Sequence, residues 1–103
     1  MDNETLKNYL ETNSQVVTIF MTKATDFLNR QNMERLPARR FNDAEINRKA
    51  EKMLASVIDN IREKIAPHTR DQTTAAWEAF LTENDVLDEL ELSMSELTFE
   101  QED

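Results

Sequence analysis

The chain has 103 residues, no glycine, no cysteine and a formal net charge of −9 at pH 7. A chain of this length forms one domain with a modest core and has little room for a deep pocket as well. Tight hairpin turns and phosphate-binding loops depend on glycine, whereas disulfides, thiol nucleophiles and thiolate metal sites depend on cysteine. The composition therefore argues against a β-rich fold and against all of these sites.

The charge is distributed unevenly along the chain. Residues 1–82 contain twelve acids and twelve bases, whereas residues 83–103, here called the acidic segment, contain nine acids and no base. Between Arg30 and Lys52 there are seven bases and four acids, so this stretch is weakly basic. We expect a charge-balanced helical domain over residues 1–82, followed by an acidic amphipathic C-terminal segment.

The sequence also predicts where the protein resides. Its first ten residues lack the basic-then-apolar pattern of a signal peptide. The longest nearly apolar stretch, residues 16–21, is far shorter than the roughly 20 residues that span a membrane. We therefore expect a cytoplasmic protein with no membrane partner.

A first helix is predicted from Asn3 to about residue 33, because apolar residues recur there at alternating spacings of four and three. This pattern places Asn13 in a heptad seam, where a buried asparagine can fix the register between helices. The alternative is that Thr12, Asn13 and Ser14 mark a kink or a new N-cap that divides the helix. Both interpretations remain open at this stage. The residues of the face are Leu6, Leu10, Asn13, Val17, Phe20, Ala24 and Phe27.

Pro37 ends this pattern and makes residues 35–41 a connection. A second helix is predicted over residues 43–66, because a capping box opens at Asn42 and Pro67 ends the apolar face. Two long helices with a short connection are expected to form an antiparallel hairpin.

A third helix is predicted over residues 70–82, with a capping box at Thr69 and Gln72. The acidic segment has helical apolar spacing, so it is either a fourth helix or a stretch that folds on meeting a partner, and a brief extended piece at residues 90–92 is a further alternative; residues 99–103 are expected to be frayed. These elements predict an all-α fold. The expected architecture is a small bundle of three to four helices built on a long antiparallel helical hairpin.

Few side chains in this sequence can carry out catalysis. His68 is the only histidine, and it lies in a connection without a cysteine beside it. Zinc sites need several nitrogen or sulfur ligands, and an EF-hand needs a glycine in its loop. The carboxylates would need a pocket that shifts their pKa values before they could act in acid–base catalysis. We therefore expect a protein that is not an enzyme, with no catalytic residues, no metal and no cofactor.

The acidic segment is the strongest candidate for an interaction surface. Its carboxylates alternate with large aliphatic residues, which suits docking in an apolar groove rimmed by lysine and arginine. Clustered carboxylates can also imitate a phosphate array and compete for the basic surface of a nucleic-acid-binding protein. The alternative is a helix that packs on the domain's own core with its acids facing water. The predicted partner-binding acids are Glu83, Asp85, Asp88, Glu89, Glu91 and Glu96, and the predicted apolar docking residues are Leu87, Leu90, Met94 and Leu97.

A second candidate surface, here called the basic patch, lies around the predicted connection. It could contact phosphates, but interspersed acids leave it with a net charge of only about three, whereas nucleic-acid-binding domains are basic overall. Direct nucleic-acid binding is therefore not expected. We favour a solvated surface or a dock for the acidic segment of the same or another copy. The basic patch consists of Arg35, Arg39, Arg40, Arg48, Lys49 and Lys52.

These features favour a non-enzymatic protein–protein interaction module, an inhibitor or adaptor that presents an acidic surface to a basic, nucleic-acid-binding protein. Compact, glycine-free, acid-ended proteins of this kind resemble those that bacteriophages and mobile elements encode to modulate their hosts. One alternative is an assembly, scaffold or chaperone-type protein that oligomerises through apolar helix faces. A second is a nucleic-acid binder that acts through residues 35–52. A monomer and a homodimer are equally compatible with the sequence.

Overall fold

The computed structural model of the chain describes residues 1–99, and Glu100, Glu102 and Asp103 of the acidic segment lie outside this range. Within it the chain is all-helical and has no strand, so the predicted all-α class is confirmed. Residues 1–99 form five α-helices where three to four were expected, and short 3-10 turns flank the third. None of the helices in residues 1–99 is long and apolar enough to cross a membrane. The helices are α1 (Asn3–Asn13), α2 (Val16–Met33), α3 (Asp43–Ile65), α4 (Thr74–Glu83) and α5 (Val86–Glu96).

The first predicted helix is in fact two helices, because the backbone turns at Ser14. The backbone of Ser14 is extended, and its N–H and Oγ both donate to the Leu10 carbonyl, at 3.0 and 2.7 Å. A serine that bonds in this way competes with continuation of the helix. Asn13 is consequently exposed, and its side-chain amide donates to the Tyr9 carbonyl at 3.0 Å. The kink alternative is therefore confirmed, and the interpretation of Asn13 as a buried register residue is wrong.

Helix α3 lies along α1 and α2 and runs in the opposite direction. Its first turn is capped as predicted, since the Asn42 carboxamide oxygen accepts the Glu45 N–H at 2.8 Å. Near this end, Asn32 of α2 and Phe41 exchange two hydrogen bonds of 2.9 Å each. Near the other end, Asn3 of α1 donates to Asp59 at 3.1 Å. Contacts at both ends therefore fix α3 against the first two helices.

Helix α4 begins at Thr74 rather than at residue 70, because the predicted capping box folds differently. Thr73, not Thr69, caps the helix, and its hydroxyl accepts a backbone N–H of the first turn at 3.2 Å. Gln72 instead donates to the Thr69 carbonyl at 3.0 Å and accepts the indole N–H of Trp77 at 3.2 Å. The buried tryptophan thus has a polar partner, which is what a buried indole requires.

Helix α5 lies beside α2, and α4 contacts α1 through Tyr9 and Thr82, so the α4–α5 pair runs in the same direction as the α1–α2 pair. The residues in contact are separated by 71 to 74 positions, so the register is nearly constant along both pairs. Each pair is interrupted at a similar level, near Ser14 and near Asn84. The contacts that define this register join Met1 to Gln72, Tyr9 to Thr82 and Lys23 to Leu97.

The core lies between these helices and is entirely apolar among the described residues, with no buried polar side chain. Trp77 and Phe20 are its largest fully buried side chains. The molecule is elongated, with extents of 51 × 24 × 23 Å. Leu6, Leu10, Val16, Val17, Phe20, Ala24, Ala50, Leu54, Ile58, Ile61, Ile65, Trp77 and Leu81 form the buried cluster.

Candidate functional site

Residues 86–96 of the acidic segment form helix α5, which packs against α2 and α4. The four predicted apolar docking residues, Leu87, Leu90, Met94 and Leu97, are all half-buried and pack against the chain's own core. Burial of these side chains removes apolar area from water and so fixes which side of α5 faces the domain. The carboxylates are consequently turned away from the core.

The C-terminal end of α5 is held by a residue that the sequence analysis missed. Lys23 of α2 donates from Nζ to the carbonyl oxygens of Ser95 and Leu97, the latter at 2.8 Å. An ammonium group at this position satisfies carbonyls that the helix leaves open and is favoured by the negative end of the helix dipole. The acidic segment is thus contacted by a base through its backbone.

Phe99 provides a second attachment for the end of the acidic segment. Its ring stacks on Phe27 with centroids 5.2 Å apart and meets the edge of Phe20 at 5.9 Å. Aromatic pairs at these separations stabilise packing beyond the area that they bury. The expectation that residues 99–103 are frayed is therefore wrong for Phe99, and residues 100–103 lie outside the described range.

The outward side of α4 and α5 carries the predicted partner-binding acids, here called the acidic face. Glu83, Asp85, Asp88, Glu89 and Glu96 are exposed and Glu91 is half-buried. None of these carboxylates forms an ion pair within residues 1–99. The face therefore presents its negative charge to solvent.

The acidic face also contains an exposed aliphatic side chain, Leu92, which is 60% exposed. Residues three and four positions apart are neighbours on a helix surface, so Asp88, Glu89 and Glu96 surround it. This arrangement could not be predicted, because the apolar spacing of the segment does not reveal which leucine faces outward. The face therefore combines a central apolar group with an acidic rim.

The basic patch is exposed at all six of its residues. Two of its guanidinium groups bond to the backbone of the α2–α3 connection. Arg35 Nε donates to the Arg39 carbonyl at 2.9 Å, and Arg40 donates to the carbonyls of Arg35 and Met33 at 3.2 and 3.0 Å. Arg39, Arg48 and Lys52 have no side-chain hydrogen bond or ion pair within the described residues.

Phe41 lies inside the basic patch, between two cations. The Arg35 guanidinium carbon is 4.4 Å from the ring centroid and Lys49 Nζ is 4.5 Å from it, which are cation–π distances. A shallow open cleft of about 410 Å³ lies beside the ring and is lined in part by Leu28 and Ile46. A base that stacked on the ring of Phe41 would therefore have to compete with these two cations.

Two exposed apolar residues accompany the basic patch. Met33 is 66% exposed at the end of α2, and Leu36 is 70% exposed in the connection. They flank Arg35 in sequence. Their exposure could not be predicted, because a methionine at a helix end and a leucine before a proline carry no periodic signal.

The groups that could support catalysis are dispersed. His68 is exposed and stacks on Phe80 with ring centroids 6.0 Å apart. Among residues 1–99, no group of three or more histidine, cysteine, aspartate or glutamate side chains could hold a metal ion. Hydrogen bonds from Thr5 lower the pKa of Asp2, and the Asn3 amide followed by Arg62 lowers the pKa of Asp59. Both carboxylates serve contacts at helix ends.

Comparisons of the chain with protein-family models, curated proteins and solved structures found no match. Two oppositely charged surfaces stand out in the geometry of the chain: the acidic face with Leu92, and the basic patch with Met33 and Leu36.

Proposed function

We propose that the protein is a non-enzymatic interaction module, an inhibitor or adaptor, that binds the basic surface of a nucleic-acid-binding protein through its acidic face. In this proposal α2 and α3 form the antiparallel hairpin on which the acidic helix is mounted. The observation that carries the proposal is that the apolar side of α5 packs on the core, while the exposed carboxylates pair with no base within residues 1–99.

The spacing of the charges supports nucleic-acid mimicry. From Asp85 to Glu96 the α-helical rise of 1.5 Å per residue gives a length of about 16 Å. Four exposed carboxylates lie along this length, roughly one every 5 to 6 Å, and the half-buried Glu91 adds a fifth, whereas a single DNA strand carries one phosphate every 3.4 Å or so. A groove that follows a nucleic-acid backbone would therefore meet a row of negative charges whose spacing is of the same order as that of phosphates.

The attachment of α5 also favours binding. Lys23 and Phe99 hold the end of the helix, so its carboxylates are presented without the entropic cost of ordering a free segment. These carboxylates have no ion pairs within residues 1–99 that would have to break, so their electrostatic attraction to a basic surface is not reduced by such a loss. An exposed cluster of one sign also accelerates encounter with an oppositely charged partner, most strongly at low salt.

The proposal is tested by neutralising the face without disturbing the packing of α5. The triple variant Asp88→Asn, Glu89→Gln, Glu96→Gln removes three exposed charges and keeps every apolar contact. The matched control is Glu4→Gln, Glu63→Gln, Glu78→Gln, which removes three exposed charges elsewhere. Deletion of the segment would be a poorer test, because it would expose the core.

Each protein is immobilised, incubated with cell extract and eluted with a competing DNA duplex. We expect the wild type and the control to capture proteins that the duplex displaces, and the face variant to capture at least tenfold less, since three exposed charge pairs contribute about 1.4 kcal/mol in total. Capture that survives neutralisation of the face, or that the duplex does not displace, would contradict the proposal.

A further inference from the structure

Within residues 1–99, three large apolar side chains are conspicuously exposed: Met33, Leu36 and Leu92. Leu92 is surrounded by acids, whereas Met33 and Leu36 flank Arg35 of the basic patch in sequence. Apolar anchors inside a polar rim are typical of the central residues of protein interfaces. The two surfaces therefore match in apolar character and are opposite in charge.

We propose that the basic patch is a docking surface for the acidic face of a second copy of this chain, so that copies associate head to tail. Leu92 of one copy contacts Met33 and Leu36 of the next. Asp88, Glu89 and Glu96 then lie opposite Arg39, Arg48 and Lys52. The inference shares the acidic face with the proposed function, but it concerns a different surface and needs no other partner.

The second surface must come from another molecule, because the geometry of the chain keeps its own two surfaces apart. The register of α5 against α2 places Leu92 beside about residue 20, so Met33 is roughly 20 Å farther along α2 at 1.5 Å per residue. Lys23 and Phe99 fix α5 in that position. No carboxylate of the acidic face pairs with the basic patch within residues 1–99.

Such an interface joins two different surfaces, so it is heterologous. A heterologous contact closes into a ring or continues as an open chain of copies, whereas a two-fold dimer uses the same surface twice. Since exposed charges contribute to it, the association weakens as salt shortens the range of their attraction. Self-association also covers the acidic face and so competes with the partner of the proposed function.

The test uses two double variants of the full chain, each of which replaces one leucine and one charged residue by uncharged glutamine. Leu36→Gln with Arg39→Gln disables the patch, and Leu92→Gln with Glu89→Gln disables the face. All four side chains are exposed, and none donates or accepts a side-chain hydrogen bond within the described residues, so both variants are expected to keep the wild-type helix content. Arg70→Gln with Glu78→Gln is the matched control.

The molar mass of purified protein is measured by sedimentation velocity across concentration and salt. We expect the wild type and the control to exceed the monomer mass at low salt and to return to it at high salt, and each double variant alone to associate at least tenfold more weakly. An equimolar mixture of the two variants has one intact patch and one intact face. It should therefore form a one-to-one dimer and grow no further.

Three outcomes would overturn the inference. The inference is wrong if the wild type stays monomeric at low salt. It is also wrong if the equimolar mixture of the two double variants fails to form the dimer. Binding of a labelled DNA duplex by a monomeric chain, lost on Arg39→Gln, would assign the patch to phosphates instead. Because these measurements use the purified chain alone, their failure is distinguishable from failure of the proposed capture of a partner.

Discussion

Asp85 is the residue at which the absence of glycine has a structural consequence. It lies between α4 and α5 with φ 52° and ψ 28°, and it is the one non-glycine residue with positive φ among residues 1–99. Most side chains cost about 1–2 kcal/mol in this left-handed region, whereas the short polar side chains of aspartate and asparagine tolerate it. Asp85 therefore serves the turn as well as the charge of the acidic face.

The stability of variants at Asp85 should follow the preference of each residue type for a positive φ. We expect Asp85→Val to lower the free energy of unfolding by about 1–2 kcal/mol, because a β-branched residue is disfavoured at positive φ. Asp85→Asn should leave stability nearly unchanged, and Asp85→Gly should not lower it. Urea unfolding followed by circular dichroism measures all three. Equal stability of the valine and asparagine variants would show that the turn is not left-handed.

At the scale of the helices, α5 owes its position to contacts from α2. It has no base in its last turn, and Lys23 supplies the missing positive charge from the neighbouring helix. Hydrogen bonds that involve a charged donor are stronger than neutral ones. The orientation of the whole acidic face thus depends on a residue about 70 positions earlier in the chain.

Removal of the Lys23 ammonium group should loosen α5 selectively. We expect Lys23→Met, which keeps an apolar stem, to lower the free energy of unfolding by about 1–2 kcal/mol. The backbone amides of residues 86–96 should exchange hydrogen with solvent at least tenfold faster, while the exchange rates of the α3 amides should change less. Lys7→Met is the control, because its exposed ion pair with Glu11 contributes at most about 0.5 kcal/mol. Unaltered exchange in α5 would show that Lys23 does not hold it.

Helix α3 could be predicted almost to the residue, because its cap at Asn42, its continuous apolar face and Pro67 all agree. The break at Ser14 could only be stated as one of two alternatives, since the apolar face continues in phase across it. The start of α4 was misplaced because Thr69 and Thr73 are both plausible caps. The choice between them depends on Trp77. Its indole N–H donates to the side-chain oxygen of Gln72, so that oxygen does not form the predicted capping box.

The candidate surfaces were predictable in charge but not in detail. Nine acids without a base identify an acidic segment directly from the sequence. The outward position of Leu92 depends on how α5 is rotated about its axis, and that rotation is set by contacts with α2 and α4. The role of Lys23 likewise depends on the pairing of two distant helices, for which the sequence carries no local signal.

At the scale of the whole molecule, the two interrupted helix pairs share a local motif. The side-chain amides of Asn13 and Asn84 each donate, at 3.0 Å, to the carbonyl four residues earlier, Tyr9 in one case and Phe80 in the other. The asparagines are 71 positions apart, which is also the offset between Met1 and Gln72. The two pairs thus end their first helices in the same way, and α5 packs against α2 of the other pair.

A cluster of three polar residues joins the first helix to the end of the third. Asn3 donates to the Asp59 carboxylate at 3.1 Å, and Arg62 contacts both of them, at 2.6 Å to Asn3 and 3.2 Å to Asp59. The hydrogen bond from Asn3, and then Arg62, hold the pKa of Asp59 below its ordinary value of 3.8. The folded chain therefore favours the ionised carboxylate more than the unfolded chain does.

This cluster should make part of the stability depend on pH. A carboxyl group whose pKa is lowered in the folded state stabilises the folded chain. This contribution is fully present at pH values above the unfolded pKa of 3.8, and it disappears as the pH falls through the folded pKa. We expect Asp59→Asn to be less stable than the wild type at pH 7, and the difference to shrink toward zero well below pH 3.8, where the protonated carboxyl resembles the amide.

Urea unfolding at both pH values measures this difference. Asp2 also has a lowered pKa, but it is present in both proteins and cancels in the comparison. Glu63→Gln is the control, because Glu63 is exposed on the same helix and makes no ion pair within the described residues. A difference for Asp59→Asn that stays constant down to low pH would show that shape rather than charge joins α1 to α3. A difference that closes would establish the carboxylate as the link between them.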